Sequence, residues 1–328
     1  MNPIVLDAGN LLFKSSRAMT ENRDKSLARA QMIWAATSAI GLDAFCPGSM
    51  DFLGGLKLLE GFRDQGKVPF LAANLSYPDG KPFGDKRYVV LERNGVRVGI
   101  FGLAGKSIFS ERMDLMIDLK VGDPLEAARP IVRELEGKCD VMLLLSEMDK
   151  AEIERFCELF PQVKFVIAGN HVVGYSSRAR RMDDTYVMQG ISRGKSLSRL
   201  DLNVVNGNFD LRDSREYDVA KRSFERYDRD YKRIMEQTSG EDPEEFFEND
   251  QRKLARYRRV KESREKYTQM LEQLDPNQSN FAVGTINLGK SVTEDAMVQA
   301  LIDAYELKWS SDYSTGGNTL GTKAPDPH

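Results

Sequence analysis

Residues 139–175, CDVMLLLSEMDKAEIERFCELFPQVKFVIAGNHVVGY, decide the fold. Val141–Leu145 is an unbroken apolar run, too short for an independent helix, followed by the polar Ser146-Glu147-Met148-Asp149. That is the signature of a strand covered on both faces. Ala151–Phe160 then places Ile153, Phe156, Cys157 and Phe160 on one face of a helix that Pro161 stops, and Val163–Ala168 repeats the buried-strand pattern. Two such strands joined by a helix make a right-handed βαβ unit, whose ligand crevice lies outside the strands' carboxyl ends. Those ends are Ser146-Glu147 and Gly169-Asn170-His171.

Towards the N-terminus the same grammar recurs. Ile4–Leu6 is a short strand ending in Asp7-Ala8-Gly9-Asn10, and Ser26–Ile40 has the apolar spacing of a helix stopped by Gly41. Ala44–Cys46 leads through Pro47-Gly48-Ser49-Met50-Asp51 into a helix marked by Leu53, Leu56, Leu59 and Phe62, and Pro69–Asn74 is a further strand with a polar end. Asn94-Gly95 between two β-rich runs predicts a hairpin over 88–103. Asp123-Pro124 opens a helix that runs to Leu135. After residue 175, TYVMQGIS and SLSRLDLNVV read as a pair of strands flanking Arg193-Gly194-Lys195. The alternation of strands and helices, followed by antiparallel strands, predicts a layered α/β sandwich.

The chain has 328 residues, 41% of them hydrophobic, and a net charge of −3, enough for a sizeable core and without the footprint of a nucleic-acid binder. No apolar run approaches the ~20 residues that cross a bilayer, and Met1-Asn2-Pro3 enters a strand directly, which predicts no membrane span and a cytoplasmic protein. Cys46, Cys139 and Cys157 lack metal-ligand spacing and read as buried thiols.

The succession VLDAGNLLF, GLDAFCPGSMDFLGG, PFLAANL, GVRVGIFGL, DPLEAARPIV, DVMLLLSEMD, FVIAGNHVVGY and YVMQGISRGKSLSRLDL resembles the calcineurin-like metallophosphoesterases, in their 5'-nucleotidase and UDP-sugar hydrolase branch. The resemblance covers about residues 3–212 and implies a metallophosphoesterase-type α/β sandwich. In that family the motifs D-x-H, G-D, G-N-H-E, S-H and G-G-H-T-H hold two metal ions. Position by position, the bridging aspartate falls on Asn10, and G-N-H-E falls on Gly48-Ser49-Met50-Asp51, putting Ser49 at a metal ligand and Met50 at the catalytic histidine. S-H falls on Ser146-Glu147, and the last motif on Gly169-Asn170-His171-Val172-Val173, which keeps one histidine of two. D-x-H has no counterpart, since three residues precede the first strand.

Two cations held about 3.5–4 Å apart need a bridging carboxylate and several imidazoles. The chain has two histidines, His328 at its end and His171. The degenerate set Asp7, Asn10, Ser49, Asp51, Glu147, Asn170 and His171 offers hard oxygen ligands for at most one weakly bound divalent cation, Mg²⁺ or Ca²⁺. His171 and Glu147 are the candidate catalytic groups. The expectation is an eroded metal site in a non-catalytic binding or assembly module, with a divergent metal-dependent phosphoesterase as the alternative.

Four regions are expected: the phosphoesterase-like domain 1–212, a charged helical hairpin 213–275, a short strand-helix unit 276–309 and a disordered tail 310–328. The two helical stretches, Tyr217–Thr238 and Glu244–Leu274, are separated by the breaker Ser239–Pro243. Phe224, Tyr227, Tyr231 and Ile234 mark one seam, and Phe247, Leu254, Tyr257, Tyr267, Leu271 and Leu274 the other, near heptad spacing. Such a hairpin is either a solvated element or a docking arm for a protein partner. Arg252, Lys253, Arg256, Arg258, Arg259 and Lys261 form a basic cluster, but interleaved acids along the chain favour a solvated face over nucleic acid. An uncovered sheet flank beside Ile4–Leu6 predicts self-association. The overall order also resembles the front part of bacterial exported nucleotidase-like proteins, some continuing into a multihaem cytochrome. That implies a periplasmic origin, although this chain carries no C-x-x-C-H for haem attachment.

Overall fold

The computed structural model describes residues 2–109, 118–169, 178–190, 194, 196–275, 277–289 and 292–309. It divides into two compact units, Met1–Leu197 with Asn287–His328, and Ser198–Ile286. Among the described residues no helix is long and apolar enough to cross a membrane.

In the first unit, β1 (Leu6–Asp7) pairs in parallel with β2 (Ala44–Phe45), Asp7 opposite Phe45. Phe70 lies alongside Phe45, with Phe45 N–H donating to Pro69 O and Leu71 N–H to Phe45 O. Between β1 and β2 run α1 (Ser16–Glu21) and α2 (Arg23–Ala39), the latter started by Asn22, whose side chain accepts from Lys25 N–H. A 3₁₀ turn, Ser49–Gly54, precedes α3 (Leu56–Arg63). This layer closes on aromatic rings: Trp34 stacks on Phe62 at 5.1 Å and meets Phe45 edge-on at 5.5 Å.

The second layer is one large sheet. After the short β3 (Leu75–Ser76) comes the hairpin of β4 (Tyr88–Arg93) and β5 (Val96–Ala104), with Asn94 and Gly95 both at positive φ, as a two-residue primed turn demands. β6 (Lys120–Val121) pairs with β3, and α4 (Pro124–Leu135) starts where Asp123 caps the N–H groups of Leu125 and Glu126. β7 (Val141–Glu147) is buried at every residue, and α5 (Lys150–Leu159) opens with a capping box between Asp149 and Glu152. β8 (Val163–Ala168), β9 (Arg180–Met182) and β10 (Thr185–Gln189) complete the order β4-β5-β7-β8-β10-β9, in which β5, β7, β8 and β10 are parallel. Ile131, Val132 and Leu135 of α4 and Ile153 and Phe156 of α5 pack into one core with Leu144 and Val166 of the sheet. The result is a layered α/β sandwich.

One expected pairing does not form. β10 was expected to pair with the strand over SLSRLDLNVV; instead β10 pairs in parallel with β8 and antiparallel with β9. Asp183, at φ 52°, makes the tight turn that brings β9 back onto β10. The strand over SLSRLDLNVV, β11 (Ser196–Asn203), joins a sheet of the second unit instead. Arg193 and Lys195, between them, lie outside the described residues.

The second unit holds β11, β12 (Arg212–Asp213), α6 (Arg215–Gln237), α7 (Pro243–Phe246), α8 (Gln251–Gln273) and β13 (Asn280–Asn287), with strand order β11-β13-β12. α6 and α8 form the antiparallel hairpin: Tyr227 stacks on Tyr267 at 5.8 Å and Tyr231 on Tyr257 at 6.2 Å. The second helical stretch is shorter than expected. Asp250 caps α8 by accepting from Lys253 N–H, so α7 is a separate turn held by its own cap, Asp242. α9 (Ala296–Trp309) belongs to the first unit, where Tyr305 reaches the carbonyl of Lys25 on α2. Of the three thiols, Cys46 and Cys157 are buried and Cys139 is half-buried.

Candidate functional site

The carboxyl ends of β1, β2, β7 and β8 converge, and their loops are bound together by side chains. Gly9 and Asn10 follow β1 in left-handed backbone, at φ 109° and 63°. The turn aims the Asn10 amide at the end of β7, where Nδ2 donates to both carboxylate oxygens of Glu147, at 3.0 and 3.1 Å, and more distantly to Gly169 O. Asn10 Oδ1 accepts from Met50 N–H at 2.9 Å, tying the same side chain to the loop after β2.

Asp51 is fully buried and serves that loop from below. One of its oxygens accepts from Asn10 N–H at 2.7 Å and Gly48 N–H at 2.8 Å, the other from Leu12 N–H at 2.8 Å. Burial still raises its pKa to about 6, the backbone hydrogen bonds opposing that rise. Glu147 is buried at the end of β7, and desolvation, then the nearby charge of Asp51, raises it to about 8, while the Asn10 amide pulls it down. Asp7, half-buried, is raised to about 7 by desolvation and by Asp51, its Oδ1 accepting from Gly9 N–H at 2.8 Å. The Cys46 thiol is pushed well up by burial and by these carboxyls.

Glycines make the space that Glu147 fills. A Cβ on Gly9 would stand 2.9 Å from Glu147 Oε1, and one on Gly48 2.7 Å from Glu147 Oε2 and 2.7 Å from Asn10 Oδ1. A Cβ on Gly169 would collide with Glu147 Oε1 and the carbonyl of Ala8. Of the positions singled out in the sequence, Asp7, Asn10, Ser49, Asp51 and Glu147 do come together, with the Ser49 backbone N–H turned to Glu147. Asn170 and His171 lie outside the described residues. Asn74, another polar strand end, is a structural clasp: its amide exchanges hydrogen bonds with both N–H and C=O of Ala104 and donates to Gly122 O. The glycine cradle had no separate signal in the sequence.

The donor set of the described residues does not fit a pair of metal ions. Asn10 turns its NH₂ donor, not its oxygen, towards Glu147, and both oxygens of Asp51 are taken by backbone N–H groups. Among the described residues no three His, Cys, Asp or Glu side chains are arranged to hold a metal ion. The same contacts show what the arrangement does do: it cross-links four strand ends through hydrogen bonds.

No protein-family model and no curated protein sequence matches the chain. Solved structures do. The calcineurin-like phosphoesterase YfkN from Bacillus subtilis aligns over 95% of this chain and 85% of its own, at 15% identity and a TM-score of 0.56. The 5'-nucleotidase precursor from Thermus thermophilus aligns over 95% of this chain and 50% of its own, at 16% identity and a TM-score of 0.53. Sulfate thiohydrolase SoxB, from the same organism, aligns over 62% of this chain and 36% of its own, at 19% identity and a TM-score of 0.53. The chain thus spans half or less of the length of two of these three proteins. At these identities the likeness is one of architecture, and the architecture is that of the calcineurin-like metallophosphoesterases, in the form shared by the 5'-nucleotidases.

Proposed function

We propose that this chain is a non-catalytic binding or assembly module built on a 5'-nucleotidase-like metallophosphoesterase fold, a pseudoenzyme in which hydrogen bonds have replaced metal ions. The observation that carries the reading is the enclosure of the Glu147 carboxyl between Gly9, Gly48 and Gly169, with the Asn10 amide on both its oxygens. A group so enclosed does not present lone pairs to a cation or a phosphate ester. The charged hairpin of α6 and α8 then supplies the surface for a protein partner.

The clustering of Asp7, Asp51 and Glu147 favours a second reading, a divergent metal-dependent phosphoesterase, because three crowded carboxyls lose their mutual repulsion when a divalent cation is present. Metal content after dialysis against Mn²⁺ or Zn²⁺, measured with hydrolysis of AMP and of a chromogenic phosphodiester, separates the two. The module reading expects no retained metal and no turnover. Two equivalents of bound metal, or turnover abolished by Glu147→Gln, establishes the second.

A further inference from the structure

The outer face of α6 carries a charge pattern of which the hairpin's packing uses little, Arg226 over Tyr227. On α6, Phe224, Tyr227, Tyr231 and Ile234 face α8, so residues two positions away from each lie on the opposite side of the helix. That side reads Val219, Arg222, Arg226, Arg229, Arg233, an alternating three-and-four spacing about 21 Å long at the rise of an α-helix. All five are exposed. Among the described residues Arg222 and Arg229 have no carboxylate partner, Arg226 lies over the Tyr227 ring at 4.6 Å, and Arg233 reaches Asp230 only at 3.8 Å. The stripe borders an open groove of about 390 Å³.

The tip of the same hairpin is its complement. Between Ile234 and Gln251 there are seven acidic residues and no Lys or Arg. Three of them serve the tip itself: Asp242 and Asp250 cap α7 and α8, and Glu244 pairs with Arg258 at 2.6 Å. Glu241, Glu245 and Glu248 are exposed around Phe246, a ring left 47% exposed. An exposed ring flanked in sequence by carboxylates matches a groove in which Arg222, Arg226 and Arg229 outnumber the one acid, Glu225, with Val219, itself 50% exposed, at its end. The Glu244–Arg258 pair holds the tip on α8, so it does not fold back along its own α6.

We propose that the occupant of the α6 stripe is the acidic tip of a second copy of this chain. The contact joins two different surfaces, so it either closes reciprocally, each tip on the other copy's stripe, or repeats from copy to copy. It is independent of the carboxylate cluster in the first unit, so sedimentation reads this contact while metal content reads the other proposal.

The test uses the full chain and two charge reversals, R222E/R226E/R229E in the stripe and E241K/E245K/E248K at the tip, each checked for native helix content by circular dichroism. Sedimentation equilibrium of the wild type is expected to show a weight-average mass that rises with concentration at about 50 mM salt and falls to the monomer at about 500 mM, where surface charges are screened. Each reversal alone should be monomeric, because like charges then face one another. An equimolar mixture of the two should regain association, since the acidic tip of one meets the intact arginines of the other and the lysine tip meets the glutamate stripe. A monomeric wild type at low salt, undiminished association of R222E/R226E/R229E, or a mixture that stays monomeric overturns the proposal. Wild type that stays monomeric but binds an acidic polyglutamate peptide assigns the stripe to a foreign acidic partner and overturns it equally.

Discussion

The side-chain amide of Asn10 straddles the carboxyl of Glu147, donating to both oxygens at 3.0 and 3.1 Å across 137 residues of sequence. The family resemblance places a metal-bridging aspartate at the first position and a histidine at the second. Here the first is a neutral amide and the second a buried carboxyl whose pKa is raised to about 8. The pair satisfies itself, and the amide ties together the loops after β1, β2 and β7.

This relationship predicts the behaviour of Asn10→Asp. A carboxylate at residue 10 loses the donor to Glu147 and adds a like charge beside a group already raised by desolvation and by Asp51. The expected loss is on the order of 2–4 kcal/mol at pH 8, read as a lower urea midpoint with unchanged slope. A variant as stable as the wild type shows that the Asn10–Glu147 contact does not hold the loops.

Stability should fall as pH rises through neutrality. Burial raises Asp51 to about 6, Asp7 to about 7 and Glu147 to about 8, all above their ordinary values. The folded state therefore keeps protons that the unfolded chain has released, and the stability this confers is full below about pH 4 and lost as pH rises through 6 to 8. Urea midpoints should decline in the order pH 5, 6.5 and 8, and Glu147→Gln should flatten the decline. A midpoint that rises over this interval contradicts the arrangement.

Two glycines should respond in opposite ways to alanine. Gly48→Ala drives a methyl group into Asn10 Oδ1 and Glu147 Oε2, and about 1–3 kcal/mol of destabilisation is expected. Gly61, in α3, has nothing within 4 Å of a Cβ, and Gly61→Ala should raise stability by up to about 1 kcal/mol. Thermal denaturation of both variants against the wild type is the measurement; a neutral Gly48→Ala shows the cradle to be slack.

In the hairpin, Arg264 joins the helices by donating to Asp228 at 2.7 Å while its guanidinium lies over Tyr231 at 4.9 Å. Arg264→Lys keeps the charge but loses the planar group that makes both contacts. Lys and Ala variants are therefore expected to lose similar stability, about 1–2 kcal/mol, in a denaturant series. Full recovery by lysine means that charge alone matters there.

Much of the architecture was legible because its causes are local. Asn94-Gly95 supplies the two positive φ angles of the β4–β5 turn, Asp123-Pro124 caps and opens α4, and the unbroken apolar run Val141–Leu145 can only be a strand buried on both faces. The aromatic seams of the hairpin were equally plain, since helical spacing alone brings Tyr227 and Tyr231 to one side of α6. The partners of strands and loops were another matter. β10 takes β8 and β9 rather than the strand that follows it, the left-handed turn at Asp183 folding β9 back onto β10. The site depended still more on tertiary structure. The sequence by itself determined which polar residues stand at strand ends: Asp7, Asn10, Asp51 and Glu147. Only the folded chain decided that Asp51 spends its oxygens on the backbone of Asn10, Gly48 and Leu12, and that Gly9, Gly48 and Gly169 close around the Glu147 carboxyl so that a Cβ at any of them would meet it. Hydrogen-bond partners 39 to 137 residues apart are fixed by how the sheets align, and no local pattern encodes that alignment.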